Sequence, residues 1–367
     1  MFLRYLPAVL LLAVPVFSQP VPPVAQVPSQ FSGLTIDMQW FLAYQNGKLS
    51  DKVRDEFALK RGYVDIKKKI NDTFSGKITT DITVDKEGDG MGDVEIRLKY
   101  LLLKMNLPEI GFLKKSFMEF GMIHLPWIDY EQAINDYRVQ GTMFLERTNV
   151  MSSADFGLVY MTQFGESLDE DYQKKVSSSF PGKYGSMAIS LTNGGGYHAL
   201  EYNRNKTIQS RLSLRPFHEM LPGLQIHHHG AVGKGNIAEA PDWYYHAGVL
   251  SYEADGLIVT GSGFLGTGNY SGTAIQDTVS FSPVDQNGFS VFADVRVWDP
   301  GINVFGRYDR VTSEYASGDK LAERWIGGVA FYITDRSKLV LDYDYYNRNT
   351  AGKPNDGLFE AVIELRL

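Results

Sequence analysis

The sequence predicts an all-β fold: a sixteen-stranded antiparallel transmembrane β-barrel with short periplasmic turns, long outer loops and an inward-folded third loop. Three observations carry that expectation. The final ten residues, 358–367 (LFEAVIELRL), place Phe359, Ala361, Ile363, Leu365 and Leu367 on one face and Glu360, Val362, Glu364 and Arg366 on the other. A period of two sends alternate side chains to opposite faces of a strand. Segments of the same kind recur along the chain, separated by Gly, Asn, Asp and Pro clusters. Beyond residue 18, no apolar run approaches the roughly eighteen residues a membrane helix needs, so any crossing of a bilayer must be made by strands.

In chain order, residues 1–18 read as a secretory signal peptide, with Arg4 as the positive start, 5–17 as the apolar stretch and 16–18 as the cleavage signal. Residues 19–31 are uncharged and proline-rich, which suits an extended periplasmic lead-in. The remainder, 32–367, forms the barrel. Its first strand spans 34–44. Farther along, Phe74, Gly76, Ile78, Thr80, Ile82 and Val84 oppose Lys77, Thr79, Asp81 and Thr83, and Val94, Ile96, Leu98, Tyr100 and Leu102 oppose Glu95, Arg97 and Lys99. Phe289, Val291, Ala293, Val295 and Val297 oppose Ser290, Asp294 and Arg296, and Leu339, Leu341, Tyr343 and Tyr345 oppose Asp342 and Asp344.

A first count gives seventeen segments, but a single-chain bacterial barrel keeps both termini on one side and needs an even number. Treating 267–287, with the weak segment 276–282, as one outer loop leaves sixteen. Short connections then fall on one side (71–73, 253–256, 299–300, 334–336) and long ones on the other (46–56, 85–93, 127–152, 193–206, 313–322, 349–357). Residues 165–183 break the rule, as an acidic insertion on the short-turn side or as a local error of parity.

A barrel of sixteen strands encloses water, so passage of solutes past a constriction is the expected function, without catalysis. Loop 127–152 is the expected constriction, carrying Asp129, Tyr130, Glu131, Asp136, Tyr137, Arg138, Glu146 and Arg147. Parity puts Arg61, Lys67, Lys69, Lys77, Arg97, Lys99, Arg211, Arg215, Arg296, Arg307, Arg324 and Arg366 on the inner wall, against the acids Asp65, Asp81, Glu95, Asp294, Asp309, Asp342, Asp344, Glu360 and Glu364. In a chain of net charge −7 this basic excess tilts the lumen mildly toward anions, with pairing across strands weakening the effect. The same acidic balance excludes a nucleic-acid partner. The implied partners are outer-membrane lipids, solutes in transit and the barrel-assembly machinery, although such chains usually end on an aromatic residue and this one ends on Leu367.

The runs 57–70 (FALKRGYVDIKKKI), 117–126 (FMEFGMIHLP), 144–148 (FLERT), 154–160 (ADFGLVY), 189–194 (ISLTNG) and 210–216 (SRLSLRP) resemble the phosphate-selective porin O and P family in order and spacing. The resemblance implies a sixteen-stranded outer-membrane channel, usually a homotrimer, with basic residues on its inner wall and an inward third loop. The third loop here is acidic and has no lysine, which argues against strict phosphate specificity.

Other signals point to no cofactor and no metal. His227 and His229 share a face without a nearby carboxylate, which favours a packing role over a metal site. The 85–93 loop (DKEGDGMGD), with Asp85, Glu87, Asp89 and Gly90, begins like a calcium loop but has Ile96 where the closing Glu belongs. Cysteine is absent, so neither disulfides nor zinc thiolates stabilise the chain. Two alternatives remain, a lipid-facing hydrolase using His228 and Ser210 and a structural barrel with a plugged lumen.

Overall fold

The computed structural model describes residues 31–49, 52–85, 90–298, 301–349 and 355–367. The expected signal and most of the lead-in lie outside the described residues, as do Glu87 and Asp89 of the acidic loop and the turn at 299–300. The strands are β1 (Leu34–Leu49), β2 (Lys52–Lys69), β3 (Phe74–Val84), β4 (Val94–Asn106), β5 (Leu113–His124), β6 (Ala154–Phe164), β7 (Gly185–Thr192) and β8 (Thr207–Leu214). They continue with β9 (Leu224–Lys234), β10 (Asp242–Ala254), β11 (Leu257–Thr267), β12 (Asp285–Trp298), β13 (Ile302–Glu314), β14 (Lys320–Tyr332), β15 (Lys338–Asn347) and β16 (Asp356–Arg366). Short helices α1 (Ile128–Ile134) and α2 (Phe144–Arg147) lie between β5 and β6, and α3 (Glu170–Lys175) lies between β6 and β7.

Each strand pairs antiparallel with its sequence neighbours, and β1 pairs with β16 to close the barrel. At this seam Phe41 opposes Glu364 and Ala43 opposes Val362. Met38 and Leu367 exchange backbone hydrogen bonds of 3.0 and 2.9 Å, so the first strand begins and the last strand ends at one rim, here called the near rim. Closure removes every unpaired sheet edge, the condition for crossing a bilayer with strands. The outward positions form an exposed apolar band that includes Ile36, Leu42, Leu103, Phe120, Ile189, Leu212, Leu250, Val291, Val304 and Ile363, a surface suited to lipid. Aromatic side chains cluster within it, with Trp325 and Tyr308 ring centroids 4.0 Å apart and Phe112 stacked on Phe164 at 5.6 Å near the near rim. No helix among the described residues is long and apolar enough to cross a membrane.

Two expectations need correction. Residues 46–56 are not a long loop: β1 and β2 stay in register to Leu49 and Lys52, with Asn46 opposite Asp55, and Tyr44 donates a 2.7 Å hydrogen bond to Asp55. Tyr100 and Leu102 do not share the outward face of Val94, Ile96 and Leu98. A β-bulge sits where β4 meets Thr79 and Thr80 of β3, so the face changes at Lys99 and Tyr100. Beyond it Leu101 and Leu103 are exposed while Tyr100 and Leu102 are buried inside the barrel. A second bulge, in β2 opposite Phe41 and Leu42, turns both Lys60 and Arg61 inward. On the outer face Trp40 lies across Gly62, where a Cβ would come within 2.7 Å of the indole ring.

Residues 165–184 connect two correctly alternating strands at the near rim, so they are an insertion and the parity around them holds.

Candidate functional site

The third connection on the far rim, residues 125–153, lies within the barrel and crosses its lumen. Its beginning and its end pack against one wall: Trp127, Ile128, Tyr130, Met143, Phe144 and Leu145 cluster with Trp243, Tyr245, Ala247, Val249 and Phe264. Trp127 stacks on His229 at 4.0 Å with nearly parallel planes, and Tyr245 donates to the Met151 sulfur at 3.2 Å. Its middle part reaches another wall, where Tyr137 and Val139 join Phe41, Phe292, Phe305, Ile326 and Val340. Apolar residues on the inner face of a water-filled barrel need such a cover, and the loop supplies it.

Polar contacts then fix the loop. The Tyr137 hydroxyl donates to Asp294 at 2.8 Å, and Gln140 Nε2 donates to Asp344 at 3.0 Å while the Gln140 carbonyl accepts from Lys60 at 2.9 Å. Arg307 donates to the Thr142 carbonyl at 3.2 Å and Arg138 to the Tyr63 hydroxyl at 3.0 Å. Asp136 is held by two cations, Lys338 and Arg366, which also share Glu364. Burial alone would raise the Asp136 pKa, but the charges of Lys338 and Arg366 outweigh it and hold the carboxyl below its ordinary range. Glu131 behaves oppositely: burial pushes its pKa up to about 7, against the pull of Arg307 and with Asp309 and Glu146 adding to the rise.

Between the loop and β2–β5 the wall is polar and partly open. Asp81 accepts from Arg61, from Arg97 at 3.4 Å and from the Tyr197 hydroxyl at 3.0 Å. Below it Lys77 lies 3.1 Å from His124 Nε2 and 3.4 Å from Asp65, and His124 Nδ1 meets Glu119 at 2.7 Å.

The wall cations expected from parity divide into three groups. Arg61, Lys77, Arg97, Arg307, Arg324 and Arg366 point into the lumen and pair with carboxylates, Arg307 with Asp309 at 2.8 Å and Arg324 with Asp344 at 2.7 Å. Lys99, Arg211 and Arg215 are buried inside without a carboxylate in salt-bridge range among the described residues: Lys99 lies over the Tyr63 and Tyr100 rings, Arg211 over Tyr130, and Arg215 donates to the Gly182 carbonyl. Lys67, Lys69 and Arg296 lie at the near rim, paired with Asp37, Asp72 and Asp255. Sequence reasoning missed Lys60, Lys104, His124, Glu119, Glu253 and Lys338. Bulges reversed the parity at Lys60 and Lys104, whereas Lys338 has the inward parity of Asp342 and Asp344 and was open to the same reasoning.

His227 hydrogen-bonds Ser213 and Ser251, both at 2.8 Å, and His229 stacks on Trp127, so these imidazoles belong to the packing of the loop. His228 and Ser210 are on the exterior. His228 lies against His246, ring centroids 5.6 Å apart, and shares no hydrogen bond with Ser210 among the described residues, so the nucleophile and base of a hydrolase are not assembled.

Together, a closed sixteen-stranded barrel and a loop folded across its lumen define the architecture of the porins. Solved structures agree on the fold. The anion-selective porin from Comamonas acidovorans superposes with a TM-score of 0.61 at 9% identity, covering 91% of this chain and 99% of that one. Salmonella typhi OmpF in complex with daunomycin gives 0.59 at 13% identity, covering 91% and 97%. OmpT of Vibrio cholerae, an outer membrane protein in its trimer form, gives 0.58 at 12% identity, covering 91% and 100%. No protein-family model and no curated protein matches the sequence.

Proposed function

We propose that this chain is a bacterial outer-membrane porin that lets small hydrophilic solutes diffuse passively past the third loop, with a mild preference for anions. The near rim is then periplasmic. The observation that carries the reading is the loop itself: it is tied to β2, β12 and β15 and leaves a partly exposed, charged wall on β2–β5 beside it. A fixed constriction lined by charge selects solutes by size and by field. The anion preference rests on Lys99 together with Arg61, Lys77 and Arg97, and it is mild because Asp65, Asp81 and Glu95 pair with three of those cations. The absence of lysine from the loop favours general diffusion over phosphate specificity. Assembly as a homotrimer is proposed by analogy with the trimeric OmpT, and insertion by the barrel-assembly machinery from the amphipathic last strand.

Swelling of proteoliposomes in isotonic sugar or amino-acid solutions tests diffusion, and reversal potential under a salt gradient tests selectivity. Swelling with an anion-favouring potential supports the proposal, while a cation-favouring potential removes the selectivity. A barrel closed at rest is the second reading, favoured by the apolar packing of the loop on two walls. Absence of swelling supports that alternative.

A further inference from the structure

The insertion at 165–184 is long for a near-rim connection, since its counterparts at 70–73, 255–256 and 333–337 are short. It is also built. Ser167 bridges Gly182, Leu168 N–H donates to the Pro181 carbonyl at 2.8 Å, and the Asp169 carboxylate caps α3 by accepting from Tyr172 N–H at 2.8 Å. Lys114 of β5 pairs with Glu166 at 2.8 Å, and Arg215, the residue after β8, donates to the Gly182 carbonyl. These contacts present Phe180 to the lumen in a left-handed conformation (φ 47°), which non-glycine residues hold only when their surroundings impose it.

There Phe180 meets the third loop from below. Its ring stacks on Tyr130 of α1, centroids 4.8 Å apart, and packs against both apolar clusters that flank the start of the loop. The Arg211 guanidinium lies 4.4 Å from the Tyr130 centroid and 4.9 Å from that of Phe180. The same guanidinium donates to the Pro126 carbonyl at 2.9 Å and to the Ser186 and Ser213 hydroxyls. A fully buried cation, without a carboxylate in salt-bridge range among the described residues, is held by backbone, hydroxyls and two aromatic faces, and one of those faces comes from the insertion.

We propose that Phe180 is a positioning residue: the insertion is a periplasmic strut that fixes α1 of the third loop and so sets the width of the constriction. The inference rests on the barrel being a channel, and its test separates the two ideas. In single-channel recordings Phe180→Ala should raise conductance by about 1.5-fold or more and add open-channel noise, because the narrowest ring controls conduction. Phe180→Tyr, which keeps the ring, should restore both. Hydrogen exchange in detergent reads the strut without conduction: residues 128–134 should exchange about tenfold faster in Phe180→Ala, with β-strand protection unchanged. Equal exchange at 128–134 in a folded Phe180→Ala protein overturns the strut, whether or not the wild type conducts. Faster exchange from a silent wild-type barrel keeps the strut and defeats the channel. Faster exchange with unchanged conductance and noise overturns control of the constriction.

Discussion

Replacing Asp136 with Asn should release the third loop from the β15–β16 wall while leaving the barrel intact. In the native protein Asp136 and Glu364 together balance Lys338 and Arg366, and Lys338 and Glu364 have fully buried side chains. Removing one partner of a buried pair costs about 3–5 kcal/mol. Two features reduce that figure here. Lys338 keeps Glu364 at 3.3 Å and the Asp136 backbone carbonyl at 2.6 Å, and the Asp136 side chain is 38% exposed, so solvent screens part of the attraction. About 2 kcal/mol remains, a shift of roughly 30-fold in the balance between docked and displaced loop. Single-channel recordings at neutral pH should show increased open-channel noise and a broader conductance distribution in Asp136→Asn, largely reversed in Asp136→Glu. The sign with pH follows from the depressed Asp136 pKa: the clamp is complete above the ordinary carboxylate range and is lost as pH falls through the lower, docked-state value. A folded Asp136→Asn barrel with wild-type noise at neutral pH would refute the reasoning.

Glu131 predicts a trend of opposite sign in a different window. Its pKa is raised by burial to about 7 in the docked loop, so docking weakens as pH rises from about 4.5 to 7 and is stronger at pH 5.5 than at pH 8. Wild-type open-channel noise should therefore be greater at pH 8 than at pH 5.5, and Glu131→Gln should show no such difference; a dependence that persists in that variant assigns it to another group. Lys99→Glu changes the lumen by two charges, worth about 1 kcal/mol at ~8 Å in a water-like dielectric, or roughly fivefold in permeability ratio toward cations. Reversal potential checks this, and an unmoved value places Lys99 outside the conducting path.

Much of the barrel is written in the sequence because a period of two is local. The alternation in 358–367 directs Glu360, Glu364 and Arg366 inward, and the structure seats them against Gln45, Lys338 and Asp136. The need for an even strand number removed 276–282 as a strand, and in the structure these residues form a turn bracketed by the isolated bridge between Ile275 and Pro283. Bulges were the main obstacle. One extra residue in β4 reverses every face after it, which hid Lys104 and Leu102, and the run Leu101-Leu102-Leu103 was the visible sign of that break. The loop contacts were less legible still. Asp136 meets Lys338 and Arg366 across more than 200 positions, and Phe180 meets Tyr130 through a turn whose path alternation does not describe. Parity assigns a charge to the inner wall but does not give its depth or its partner, which is why Lys67, Lys69 and Arg296 were expected in the pore and lie at the rim.

The central claim is that this barrel conducts past a fixed third loop. Recording the purified wild-type protein in a planar bilayer tests it most directly: the account predicts stable, ohmic single-channel steps of uniform size, and protein that inserts as a folded barrel yet stays electrically silent would contradict it.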